Sequence, residues 1–61
     1  MDALIKKLNQ LTNQRFYIKT LSNGGRQLVN DKHIVTLGGP WGMTDRELTK
    51  LIKAFIKGVQ A

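Results

Sequence analysis

The chain has 61 residues, no cysteine, and ten Lys plus Arg against four Asp plus Glu, for a formal charge of +6. A chain this short makes one domain with a thin core, burying about 60% of the surface its unfolded form exposes, and without thiols neither a disulfide nor a thiolate metal site can staple it. The longest apolar runs fall well short of the roughly 18 residues of a membrane span, while the charge excess creates a positive field that favours polyanions.

The first segment has helical period. Met1, Leu4, Ile5, Leu8 and Leu11 share one face, with Lys6 and Gln10 opposite. The pattern predicts a helix over about residues 2–12, with Asp2 as N-cap and Asn13 closing it in a left-handed conformation. Residues 1–11 are charged throughout and lack a small-residue cleavage site, so no secretory signal is expected there. Absence of cysteine fits a cytoplasmic protein.

Alternation replaces helical period in the middle of the chain. Residues 15–21 are rich in aromatic and β-branched side chains and predict a first strand. Ser22-Asn23-Gly24-Gly25 supplies residues tolerant of positive φ, and Arg26-Gln27-Leu28-Val29 is the returning strand. Asn30-Asp31-Lys32 predicts a second turn, and residues 33–37 a third strand beginning at His33. Short connections make neighbouring strands antiparallel, so a three-stranded meander is expected.

The last segment carries the clearest signals. Thr44-Asp45-Arg46-Glu47 has the form of a capping box, and Met43 and Leu48 stand where a hydrophobic staple closes a helix start. Leu48, Leu51, Ile52, Phe55, Ile56 and Val59 then recur at helical spacing. The expected architecture is α+β in the order α-β-β-β-α, a three-stranded antiparallel sheet with two helices packed on one face.

Candidate chemistry lies first on the other side of that helix. Arg46, Lys50, Lys53 and Lys57 are four, three and four apart and form a basic stripe. It runs roughly 16 Å at 1.5 Å per residue, long enough to follow several phosphates of a nucleic acid. An ordinary solvated helix face has the same composition, and Lys6 and Lys7 either extend the patch or break it. Amphipathic and basic, the segment also matches an interfacial membrane helix, which would be disordered in water.

Tyr17, Lys19 and Arg26 are expected on the exposed face of the sheet. Such a mixture suits single-stranded nucleic acid, with Lys19 and Arg26 as further phosphate contacts, although ordinary cross-strand packing is the favoured explanation of Tyr17. Trp41, within Gly38-Gly39-Pro40-Trp41-Gly42, is a stacking platform, an anchor in a protein pocket, or a plug between helix and sheet. With an exposed sheet edge, that anchor would make a protein-interaction or inhibitor module. His33 is the single histidine, and no metal-ligating motif or phosphate loop is present. His33 with Asp31 is the one acid–base pairing on offer. The expectation is therefore a non-enzymatic chain without a cofactor.

In element order and basic character the chain resembles the double-stranded-RNA-binding-domain fold and, more narrowly, HicA-type messenger-RNA interferase toxins. The stretches that carry the likeness are Leu4-Ile5-Lys6-Lys7-Leu8, Phe16-Tyr17-Ile18-Lys19, Gly24-Gly25-Arg26, Ile34-Val35-Thr36-Leu37 and Glu47-Leu48-Thr49-Lys50-Leu51-Ile52-Lys53. Such toxins carry a catalytic histidine in a Gly-Ser-His at the start of the second strand. Here that region is Gly24-Gly25-Arg26-Gln27, and His33 lies too far along to replace it. RNA-binding members begin the last helix with a lysine cluster, where this chain has Thr44-Asp45-Arg46-Glu47. The resemblance thus implies a related body without the nuclease's catalytic group.

Overall fold

The computed structural model describes residues 1–60. Helix α1 spans Asp2–Thr12, strands β1, β2 and β3 span Tyr17–Thr20, Arg26–Val29 and Val35–Leu37, and helix α2 spans Asp45–Gln60. The strands form one antiparallel sheet in the order β1-β2-β3. Both helices cover the same sheet face: Leu8 of α1 and Leu48, Ile52 and Ile56 of α2 share one buried cluster with Phe16 and Leu28, flanked by Ile18 and Leu37. This is the α+β architecture that the sequence pattern predicts.

Helix α1 begins one residue earlier than its capping signal suggests. Met1 is the N-cap, no side chain caps it, and Asp2 is the first helical residue, where its charge still complements the helix dipole. Asn13 ends the helix in the left-handed region at φ 56°, as an Asn at C′ does readily. Asn9 then ties the helix to the start of the sheet. Its amide nitrogen donates to the Phe16 carbonyl at 3.2 Å, and its Oδ1 accepts from the Phe16 amide at 2.7 Å. These two hydrogen bonds satisfy both backbone groups of Phe16 just before β1 starts, so the strand begins at Tyr17 and not at Arg15.

The register decides which residues face the helices. Ile18 pairs with Leu28 and Leu28 with Leu37, and these point into the core. Thr20 pairs with Arg26, so by alternation Arg26 lies on the helix side as well. The expectation that Arg26 lies on the open face is therefore overturned. Tyr17, Lys19, Gln27, Val29 and Val35 are on the face away from the helices. A bulge places Thr36 as an extra residue opposite the Leu28–Val29 step.

The third strand is shorter than residues 33–37. Asn30 explains why, because its Oδ1 accepts from the amides of Lys32 at 2.9 Å and Ile34 at 3.0 Å. His33 is carried through the turn at φ 62°, outside the β region, so regular pairing starts at Val35.

Helix α2 starts where its sequence predicts, with one half of the capping box: among the described residues no bond joins the Glu47 carboxylate to the Thr44 amide. Thr44 Oγ1 accepts from the Glu47 amide at 3.2 Å, and the Thr44 carbonyl accepts from Leu48 at 2.9 Å. Met43 packs against the core at the staple position. The buried side of α2 is narrower than its apolar periodicity: Leu48, Ile52 and Ile56 are the buried spine, whereas Leu51 is exposed at its flank and Val59, in line with the spine, is exposed in the last turn. Phe55 is half-buried and meets Phe16 edge-to-face at 6.1 Å.

Candidate nucleic-acid interface

Once Leu48, Ile52 and Ile56 are fixed inward, the rest of α2 follows from 3.6 residues per turn. Arg46, Lys50, Lys53 and Lys57 fall within an arc of about 60°, centred about 130° from the buried spine. All four are exposed. Among the described residues the single ion pair joins Arg26 to Asp45, at 3.3 Å, so none of the four is paired with a carboxylate there. Lys57 lies in the last turn and Asp45 and Glu47 in the first, an arrangement that stabilises the helix through its dipole. The acids stand at the N-terminal end and leave the stripe uninterrupted from Lys50 to Lys57.

The same core packing weighs against the interfacial-membrane alternative. The apolar spine of α2 is covered by α1 and the sheet, and Leu51 and Val59 are its exposed large apolar residues. Among the described residues no helix is long and apolar enough to cross a membrane.

The other candidate cations separate. Lys19 is exposed on the open sheet face. Arg26 is drawn to the start of α2, where its Nη1 lies 3.4 Å from Asp45 Oδ2, and its Nε is buried without a partner. Its charge is therefore already answered by a carboxylate, and it does not join the phosphate-facing set. Lys6 lines a shallow groove between α1 and β1 together with Arg26 and Asp2, and no cation of the α2 stripe lines that groove. The groove mixes charges of both signs and does not extend the patch.

Tyr17 behaves as packing explains. Its hydroxyl hydrogen-bonds His33 Nδ1 at 2.9 Å, with the rings edge-to-face at 6.3 Å. The pair reaches across β2, whose Val29 is only 1% exposed although it lies on the face away from the helices. Tyr17 and His33 thus close a small second apolar cluster, and among the described residues no bond joins His33 to Asp31.

Trp41 is the surprise. The plug between helix and sheet does not occur; Trp41 is 78% exposed and its indole makes no hydrogen bond among the described residues. The loop that carries it is nonetheless fixed. Asn23 Nδ2 donates to the Trp41 carbonyl at 3.0 Å, and Arg26 and Met43 exchange two backbone bonds at 2.9 and 3.0 Å. Gln27, buried at mid-strand, donates from Nε2 to the Gly39 carbonyl at 2.6 Å. Gly42, at φ 75°, packs directly on Gly25, where any Cβ would come within 2.8 Å of the Gly25 carbonyl carbon. This glycine–glycine contact seats the loop against the β1–β2 turn.

Asn23 and Gln27 are the residues that sequence patterning passes over. Asn23 has the composition of an ordinary turn residue. Gln27 had a visible signal, as a long polar side chain next to Leu28 and Val29 in a short strand. No protein-family model, no curated protein and no solved structure matches this chain.

Proposed function

We propose that this chain is a small, non-enzymatic regulatory module that binds nucleic acid through its phosphate backbone. The observation that carries the reading is the solvated edge of α2, where Arg46, Lys50, Lys53 and Lys57 stand exposed and, among the described residues, without a carboxylate partner. An unpaired cationic row of this kind displaces condensed counterions when it meets a polyphosphate, and that release drives binding. Lys19 lies on the sheet face away from α2 and is not assigned to this contact. The engagement of His33 with Tyr17 in place of an acid supports the non-enzymatic part of the reading.

Charge reversal tests it. The Lys50→Glu/Lys53→Glu variant should fold as the parent does and lose binding to DNA and RNA oligonucleotides in a fluorescence-anisotropy titration. Retained affinity in that variant would sink the proposal.

A second reading, a protein-interaction or inhibitor module, is favoured by the exposure of Trp41 together with Ile34 and Val35 beside the outer strand β3. Binding of that kind would depend on Trp41 and respond little to salt.

A further inference from the structure

We infer that Trp41 is a base-stacking platform, and that the α2 edge therefore takes a single-stranded nucleic acid in preference to a duplex. The inference rests on the phosphate-binding reading and specifies its substrate class. Three observations converge on it.

The first is the energetic oddity of Trp41. An indole left 78% exposed in a domain with so thin a core forgoes burial that would stabilise the fold. The second is that the loop is held and not loose. Its backbone is fixed to the β1–β2 turn through Asn23, to β2 through Met43 and Gln27, and by the Gly25–Gly42 contact. A ring on a fixed loop loses less conformational entropy on binding than one on a mobile loop.

The third is position. Trp41 precedes the α2 N-cap Thr44 by three residues and Arg46 by five. Five residues span at most about 18 Å, so the loop that carries the ring joins the N-terminal end of the helix that carries the cationic row. A single strand whose phosphates follow Lys57, Lys53, Lys50 and Arg46 thus arrives at an aromatic face with an unpaired base to place on it. A duplex keeps its bases stacked inside and offers that ring nothing. Charge is what selects a nucleobase over an apolar protein pocket as the occupant. The loop of the ring leads directly into a helix whose cationic row has no carboxylate partner among the described residues, which suits a polyanion that also carries π-faces.

Trp41 is the chain's one tryptophan, so its fluorescence reports on this site alone. The probes are oligothymidylate and oligouridylate of about 15 nucleotides, near the upper site size of small single-strand binders, and a duplex of the same length. On the inference, single strands quench Trp41 emission and the duplex does not. Trp41→Ala weakens single-strand binding by roughly 5- to 150-fold, the range expected for one stacked base, and leaves duplex binding unchanged. Trp41→Phe, which keeps a π-face, recovers part of the loss. Since the indole makes no internal hydrogen bond, all three proteins should share one melting temperature.

Salt-sensitive binding with unquenched emission and an indifferent Trp41→Ala would overturn the stacking platform and leave the phosphate reading standing. No binding to any of the three probes would overturn both and return Trp41 to the role of a protein anchor.

Discussion

Salt dependence gives the sharpest check on the basic edge, because its slope counts cations. Four phosphate contacts on a single strand give a slope of log K against log salt near −2.8, at about −0.7 per contact. Raising salt from about 50 to 200 mM then lowers affinity roughly 50-fold. Replacing Lys50 and Lys53 together by Gln leaves two contacts, a slope near −1.4, and a loss of only about 7-fold over the same range. Both side chains are exposed and outside the core, and Gln has nearly the helix propensity of Lys, so the fold is unaffected. The assay is an anisotropy titration of a labelled oligonucleotide at about five salt concentrations, with circular dichroism confirming equal helicity. A wild-type slope near zero, or a variant slope equal to the wild type, refutes the assignment of these lysines to phosphates.

Three further outcomes test the scaffold. Ile52→Ala opens a cavity in the α2 spine at a cost of about 2–5 kcal/mol, against a total of roughly 3–9 kcal/mol for a chain of this length; thermal circular dichroism should show a melting temperature lowered by roughly 8 °C or more. Thr44→Ala removes the cap on the Glu47 amide and should lower stability by about 0.5–2 kcal/mol in urea unfolding, whereas Thr44→Ser stays close to the parent. Gly42→Ala forces a Cβ against the Gly25 carbonyl carbon at φ 75° and should destabilise by more than about 1 kcal/mol, with a shift in Trp41 emission that Gly58→Ala, in open space, does not produce.

Element order and faces were legible in the sequence because period and turn chemistry agree there. The Thr44-Asp45-Arg46-Glu47 start, the Asn13 stop and the glycine turn before Arg26 each occur where local signals place them. The failures share a cause: a side chain whose partner is distant along the chain. Asn9 captures Phe16 seven residues away and sets where β1 begins. Arg26 meets Asp45 nineteen residues away, and no spacing rule relates the two. Leu51 matches the apolar period of α2 but lies beside the narrow strip that a three-stranded sheet buries, and Val59 is in line with that strip but sits in the last turn, beyond the buried spine of Leu48, Ile52 and Ile56. Trp41 was the least legible, since its loop is seated by Asn23, Gln27 and Gly25, residues 14 to 18 positions away along the chain, and the ring is left outside.

These placements determine which functions can be altered without loss of the fold. Stability in α2 resides on Leu48, Ile52 and Ile56, and the cationic edge touches none of the core. Substitutions at Lys50, Lys53 and Lys57 should therefore change binding at constant melting temperature. The Trp41 loop is built in the opposite way. Its exposed ring is free of structural duties, but its backbone is bonded to Asn23, and Met43 and Gln27 tie the same loop to β2. Moving the ring by altering the loop backbone must therefore disturb the sheet end, whereas altering the ring itself must not. Asn23→Ala separates the two: it leaves the indole intact yet removes the bond that holds the Trp41 carbonyl and the one that holds the Gly25 amide. With a pre-formed platform, this variant should bind single strands more weakly than the parent while keeping the full salt slope, because the cations are untouched. If Asn23→Ala changes the slope and not the salt-independent affinity, the ring and the cationic row do not contribute separately to binding.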